Sequence, residues 1–132
     1  MYATAREFFE AARSAAREAA RIGRALAEME GRVASKVDRE GMLERRQDEC
    51  YEVIDAACRV LYGPDNRSGL YALVGWPADA IWHHYLGLRT WEEVGELMGY
   101  SPAHARRMAY AALDLADANG QMWTELGEGM AT

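Results

Sequence analysis

Apolar residues recur at steps of three and four along residues 3–36, which is the period of an amphipathic α-helix. They form one stripe, rich in alanine at its middle, and charged residues occupy the other faces. Because alanine is small, a partner helix can approach closely along this stripe. We therefore expect one long helix over residues 3–36. Its apolar stripe is Phe8, Ala12, Ala16, Ala19, Ile22 or Gly23, Leu26, Met29 and Val33.

A second amphipathic pattern covers residues 42–62, with charged residues on its outward face. A turn is predicted near Asp38–Gly41, where the first pattern weakens. Two neighbouring amphipathic helices with a short connection predict an antiparallel helical hairpin. The hairpin is interpreted as the core of a bundle, and the alternative is that the first helix also dimerises the protein. The apolar face of the second helix is Leu43, Cys50, Val53, Ile54, Ala57 and Leu61.

The clearest break in the chain is the sequence GPDNRSG at residues 63–69. After it the helices become shorter, and each proline lies where a helix can begin, because proline is tolerated in the first helical turn. These prolines are Pro64, Pro77 and Pro102. A helix is predicted from Pro77 to Gly87, with Asp79 near its N-terminus, where the helix dipole favours a carboxylate.

The segment TWEEVGELMGYSPAHARR, residues 90–107, has the spacing of two short helices joined by a tight turn. Thr90 followed by Glu93 is a capping box that starts a helix. Gly99 is free to take the positive φ of the turn, and Ser101 is the expected N-cap of a second helix over residues 101–118. Two helices that meet across three residues must cross steeply, so the segment is interpreted as a helix-turn-helix. The alternative is an ordinary helical hairpin.

These two helices carry apolar residues where they must pack against each other, and Gly95 is small at the expected crossing point. The packing positions are Val94, Met98, Tyr100, Ala105 and Met108. Of the outward residues, Arg106 and Arg107 have the reach to contact a guanine edge or phosphates, and Ser101 with the helix N-terminus suits a phosphate. The predicted outward positions of the second helix are Ala103, His104, Arg106, Arg107 and Tyr110.

The formal charge of −6 argues against general adsorption to nucleic acid or acidic lipid, and it is unevenly placed. Residues 1–36 hold seven basic and five acidic groups, whereas residues 65–132 hold four basic and nine acidic groups. Within residues 88–113 three arginines face three glutamates, so few counterions would be released from phosphates. A monomer should therefore bind DNA weakly, and useful affinity would need dimerisation or docking on RNA polymerase.

The sequence TWEEVGELMGYS followed by AYAALDL resembles the promoter-reading region four of bacterial sigma factors. The stretch WHHYLGLRTWEEVGELMGYS is more similar still to small phage-encoded, sigma-like regulators of the ArpU kind. The resemblance is strong over residues 78–116 and only architectural over residues 1–62. It implies that the second helix of the motif enters the major groove and that the protein regulates phage or prophage transcription. The chain departs from the family pattern at Ala105, usually a branched apolar residue, and at Met108 and Ala111, where basic residues are common.

The histidine, cysteine and aromatic residues elsewhere in the sequence do not indicate a metal site, a disulfide or a base-stacking surface. His83 and His84 are adjacent, so on a helix they point about 100° apart, and no Cys or His lies at metal-ligand spacing. Cys50 and Cys58 are about 12 Å apart along one helix, too far for a disulfide. No catalytic, cofactor-binding or metal-binding residue is predicted. The core of the last helices is expected to contain Trp76, Trp82, Tyr85 and Trp91 rather than to form a base-stacking platform.

The abundance of alanine, glutamate, arginine, leucine and methionine predicts an all-α protein, with a long N-terminal helical hairpin followed by a compact helix-turn-helix unit. The hairpin spans residues 1–62 and is expected to serve oligomerisation or partner contact. A linker follows at 63–76, the helix-turn-helix unit at 77–118 and a flexible tail at 119–132.

The predicted function is non-catalytic, sequence-specific binding of double-stranded DNA in phage or prophage transcription, in a bacterial cytoplasm. The expected contacts are Ser101, His104, Arg106, Arg107 and Tyr110, with Arg89 on the DNA backbone. RNA polymerase and a second copy of the chain, held through the N-terminal helices, are expected partners. A membrane is not, because no apolar run approaches the roughly 18 residues that span a bilayer. The alternatives are a protein-interaction module with an acidic helix-turn-helix surface, and a phage packaging component similar to a terminase small subunit.

Overall fold

Helices account for the secondary structure of the computed structural model, which describes residues 2–30 and 37–119. The all-α prediction is confirmed, since no strand occurs in those two ranges. The elements are α1 (Ala5–Met29), α2 (Val37–Tyr62), α3 (Gly69–Val74), α4 (Trp76–Ile81), a π-helical turn (Trp82–Leu86), α5 (Trp91–Met98) and α6 (Pro102–Ala118). No described helix is long and apolar enough to cross a membrane.

The long first helix is bounded by a local cap at its start. The hydroxyl of Thr4 accepts a hydrogen bond from the backbone N–H of Glu7, at 3.2 Å, so α1 begins at Ala5. The helix ends at Met29, and the expected continuation over residues 31–36, including Val33, lies outside the described residues.

The turn predicted near Asp38–Gly41 is wrong, because α2 already begins at Val37. Gly41 is helical, and the cost of one glycine in a helix, about 1 kcal/mol, is small beside the hydrogen bonds and packing of a helix of 26 residues. The weakened amphipathic pattern at these positions therefore does not mark a helix end.

The helices α1 and α2 pack side by side, and their contacts run in opposite order along the two helices. Early in α1, Phe8 joins the buried cluster that contains Val60 near the end of α2. Further along, Ala19 packs with Cys50. The side-chain amide of Gln47 donates to the carbonyl of Ala19, at 3.3 Å. The α1–α2 pair is therefore antiparallel, and the small residues of the α1 stripe lie in its interface.

One buried cluster joins residues from all six helices and the π-helical turn. The segment 63–76, predicted as a linker, belongs to this core, because α3 lies within it and Leu70 is fully buried. Gly69, at φ 68°, allows the chain to turn back so that α3 packs on the end of α2. Any other residue would place its Cβ 2.7 Å from the carbonyl oxygen of Val60. Pro64 lies in the preceding turn and does not begin a helix. The largest fully buried side chains are Tyr85, Phe9, Leu61, Leu70, Ile81, Leu113, Val60 and Val94.

The helix predicted from Pro77 to Gly87 changes its winding part-way. Pro77 lies in the first turn of α4 as expected, but a π-helical turn replaces the α-helix from Trp82 onward. The N–H of Gly87 donates to the carbonyl of Trp82, five residues earlier, at 2.9 Å. Gly87 is required there, because an added Cβ would lie 2.7 Å from the carbonyl oxygen of His83. This wider turn sets the directions of the side chains next to α5.

Candidate nucleic-acid interface

The start of α5 is fixed by two reciprocal hydrogen bonds. The Thr90 hydroxyl accepts from the N–H of Glu93 at 3.2 Å, and the Glu93 carboxylate accepts from the N–H of Thr90 at 3.0 Å. The hydrogen bonds from Thr90 lower the pKa of the Glu93 carboxyl, which favours its charged form. The capping box predicted from the sequence is confirmed.

The turn between α5 and α6 depends on two glycines. Gly99 ends α5 in the left-handed region, at φ 79° and ψ 28°. Gly95 lies against the turn, since an added Cβ would be 2.5 Å from the carbonyl oxygen of Tyr100. The hydroxyl of Ser101 then accepts from the N–H of His104, at 3.2 Å, and starts α6. The predicted structural roles of Gly95 and Gly99, and that of Ser101 as an N-cap, are confirmed.

The packing of α5 on α6 follows the prediction at some positions only. Val94 and Ala105 are fully buried, and Met98 is partly buried against the core. Tyr100 is 42% exposed and stacks on Trp76 of α4, with ring centroids 4.3 Å apart, so its predicted place between the two helices is wrong. The buried face of α6 is Ala105, Ala109, Ala112, Leu113 and Ala116, four of them alanines.

The opposite side of α6 carries the cations expected to face DNA. Arg106 and Arg107 are both exposed, as is Ser101 at the helix N-terminus. His104 is half-buried, and its Nδ1 accepts a hydrogen bond from the Arg107 guanidinium at 3.1 Å. In this arrangement the Nε2 of His104 is the ring nitrogen that can carry a proton and donate to a ligand.

Tyr110 lies on the same side of α6 as Arg106 but is less exposed than the sequence predicted. It is half-buried, and its ring meets Trp91 edge to face, with centroids 6.0 Å apart. The guanidinium carbon of Arg6, from α1, lies 4.0 Å from the centroid of the Tyr110 ring. Arg6 was not predicted as a neighbour of α6, because no local sequence pattern indicates that the start of α1 reaches that helix.

Arg89, predicted to contact the DNA backbone, is half-buried against the π-helical turn. Its guanidinium donates to Nδ1 of His83 at 2.9 Å, and its carbonyl accepts from Nδ1 of His84 at 2.8 Å. In this conformation the side chain is engaged within the protein, and a phosphate contact would require it to leave His83.

His83 and His84, adjacent in the π-helical turn, are both half-buried. His84 stacks on Trp91, with centroids 3.9 Å apart, and its carbonyl accepts a hydrogen bond from Arg13 of α1. Burial lowers the pKa of His84 to about 4, so the ring is neutral at neutral pH. No group of three His, Cys, Asp or Glu side chains suited to a metal occurs in the part of the chain that the structure describes.

The charges of this region are separated onto its two helices. Glu92, Glu93 and Glu96 are exposed on α5, together with Leu97, which is 57% exposed. A shallow pocket of about 260 Å³ lies there, lined by Arg89, Glu93, Glu96 and Leu97. The exposed arginines belong to α6. A charge sum of zero therefore describes an acidic α5 surface beside the basic N-terminal half of α6, which is followed by the exposed Asp114.

Comparisons with family models, with curated proteins and with solved structures found no match for this chain.

Proposed function

We propose that the chain is a non-catalytic, sequence-specific DNA-binding protein that acts in phage or prophage transcription, and that α5, the turn and α6 serve as its helix-turn-helix. The observation that carries this proposal is the division of α6 into two faces. Its alanine face is buried against the core, whereas Arg106 and Arg107 point away from it and are exposed. A helix held on one side and basic on the other in its N-terminal half suits the major groove.

The N-terminal half of α6 is the part with the chemistry for base and phosphate contacts. Ala103 is exposed and short, so it does not hold the helix away from the base edges. Arg106 and Arg107 suit guanine O6 and N7 or phosphates, and the N-terminus at Ser101 suits a phosphate. His104 has its Nε2 available as a further donor, since its Nδ1 is taken by Arg107.

The resemblance to sigma-like regulators of the ArpU kind supplies the proposed setting, with RNA polymerase as a partner in a bacterial cytoplasm. A homodimer through the N-terminal helices is part of the proposal. The apolar stripe of α1 is buried against α2 within one chain, so a dimer would use another surface.

Fluorescence anisotropy on pooled genomic DNA fragments tests this function, at salt concentrations between about 50 and 200 mM, where phosphate contacts weaken. The wild type should bind fragments, and the Arg106→Ala/Arg107→Ala variant should lose most of that affinity. The matched control is Arg45→Ala/Arg59→Ala, which removes two exposed arginines from α2 and should bind as the wild type does. Absence of wild-type binding at the lowest salt would refute the proposal.

The acidic surface of α5 favours a second candidate, a module that binds RNA polymerase through protein contacts. Glu92 and Glu96 are exposed beside Leu97, so a basic surface with an apolar centre would fit. Binding of purified bacterial RNA polymerase, lost in Glu92→Gln/Glu96→Gln/Leu97→Ala and retained in Arg106→Ala/Arg107→Ala, would favour this candidate. A ring-shaped oligomer in solution would instead favour the packaging function.

A further inference from the structure

Five arginines lie on α1, and four of them share one side of the helix. Arg6, Arg13, Arg17 and Arg24 are spaced by seven, four and seven residues, which places them within about 40° around the helix axis. Arg21 lies about 60° from Arg6 on the same side. At 1.5 Å per residue the row from Arg6 to Arg24 is about 27 Å long. We call these five residues the α1 arginine row.

The carboxylates of its own helix neutralise the row only in part. The ion pairs among the described residues join Arg46 of α2 to Glu18 and Glu49, so Glu18 is engaged on the α2 side of the helix. Glu10 and Glu28 are the acidic residues nearest the row on the helix surface. The four arginines that share one side outnumber these two glutamates and leave a positive surface on a chain whose formal charge is −6, whereas Arg21 also lies beside Glu18.

Two members of the row are held close together although they repel each other. Arg13 and Arg17 are four residues apart, a spacing at which like charges destabilise a helix. Arg13 is half-buried, and burial together with the charge of Arg17 lowers its pKa. A polyanion on this face would relieve the repulsion.

The row begins beside the proposed DNA-binding helix. Arg6 covers the ring of Tyr110, which lies one turn after Arg106 on the same side of α6. The N–H of Ala5 donates to the carboxylate of Asp117, at 2.9 Å, and ties the start of α1 to the end of α6. Further along, Arg13 donates to the carbonyl of His84 in the π-helical turn. The α1 arginine row thus begins next to α6, with the Tyr110 ring and the Asp117 carboxylate at the junction.

We propose that the α1 arginine row is a second contact surface for double-stranded DNA, which binds the phosphates that flank the groove entered by α6. This inference rests on the proposed function of α6. A row of about 27 Å spans the rise of roughly eight base pairs at 3.4 Å each, so its arginines can follow one groove edge. Each phosphate neutralised releases counterions, so the row supplies the salt-dependent affinity that the α5–α6 charges alone do not.

The test is the salt dependence of DNA affinity in Arg17→Gln/Arg24→Gln. Both residues are exposed and take no part in a hydrogen bond or ion pair with another described residue, so the fold should be kept, as circular dichroism would show. The slope of log K against log salt should become about two units shallower. Affinity at physiological salt should fall roughly tenfold or more, equally for all DNA sequences.

The matched control is Arg45→Gln/Arg59→Gln, which makes the same charge change on α2 and should keep the wild-type slope. A wild-type slope in Arg17→Gln/Arg24→Gln, with binding still lost in Arg106→Ala/Arg107→Ala, would overturn the inference and leave the function of α6 standing. An equal change in the control would also overturn it, because the effect would then be one of general charge. Failure of the wild-type protein to bind any DNA would overturn both proposals.

Discussion

The α1–α2 pair and the unit made by α5, the turn and α6 are both built from two packed helices, but different forces position them. In the second unit the capping box at Thr90, the left-handed Gly99 and the N-cap at Ser101 set both helix ends locally. In the α1–α2 pair alignment comes from contacts between residues about 28 to 50 positions apart, such as Gln47 with Ala19. Local chemistry determines where helices begin and end, whereas packing of small residues determines how they align.

The two regions also differ in how closely their backbones approach. Gly95 lies against the backbone of the turn, whereas Gly23 of α1 faces only the flexible side chain of Gln47, 3.4 Å from an added Cβ. The close approach of the backbone requires a glycine at position 95. At position 23 glycine is not required and only destabilises the helix. This difference can be measured by substitution.

The largest expected effect comes from Leu70, which lies in the shared core between the two regions. Leu70→Ala should lower the free energy of unfolding by about 2–5 kcal/mol, because it removes a fully buried side chain and leaves a cavity. Urea unfolding followed by circular dichroism measures this, and Leu73→Ala, on the same helix but 55% exposed in the wild type, is the control. If residues 63–76 merely linked two independent units, both variants would behave as the wild type.

Gly95→Ala and Gly23→Ala should change stability in opposite directions. The first should cost about 1–3 kcal/mol of unfolding free energy, because the new methyl group meets the carbonyl oxygen of Tyr100 at 2.5 Å. The second should gain about 0.5–1 kcal/mol, because alanine restricts the unfolded chain and fits the helix. Thermal and urea unfolding of the two variants would check this, and a stabilising Gly95→Ala would disprove the close approach of α5 to the turn.

A smaller effect is expected on the pH dependence of stability, through His84 between the two regions. Burial lowers the pKa of His84 from 6.5 to about 4, so the folded protein resists a proton that the unfolded chain accepts. The stabilisation is complete above about pH 6.5 and is lost progressively as the pH falls through about 4. His84→Phe keeps a ring against Trp91 and should lose less stability than the wild type over this pH range. Parallel unfolding profiles for the two proteins between pH 7 and pH 4 would contradict the assignment.

The positions of the candidate site residues could be predicted from the sequence where they depend only on residues nearby in the same helix. Ser101, Arg106 and Arg107 lie on the exposed end of α6 as the helical period requires. Tyr110 and Arg89 were misjudged because their partners, Arg6 and His83, come from other elements and cover part of each side chain. Exposure in a helical pattern is a property of one helix, whereas burial depends on what packs against it.

The sequence by itself determined the all-α class, the caps of α5 and α6 and the glycine turn between them, because each depends on hydrogen bonds and φ angles within a few residues. Only the tertiary structure decided that Leu70 belongs to the core, that the helix after Pro77 widens into a π-helical turn, and that α1 lies beside α6. Those outcomes depend on which apolar surfaces, from helices distant in the sequence, pack against each other and are buried from water. The period of apolar residues in one helix does not indicate which distant helix packs against it.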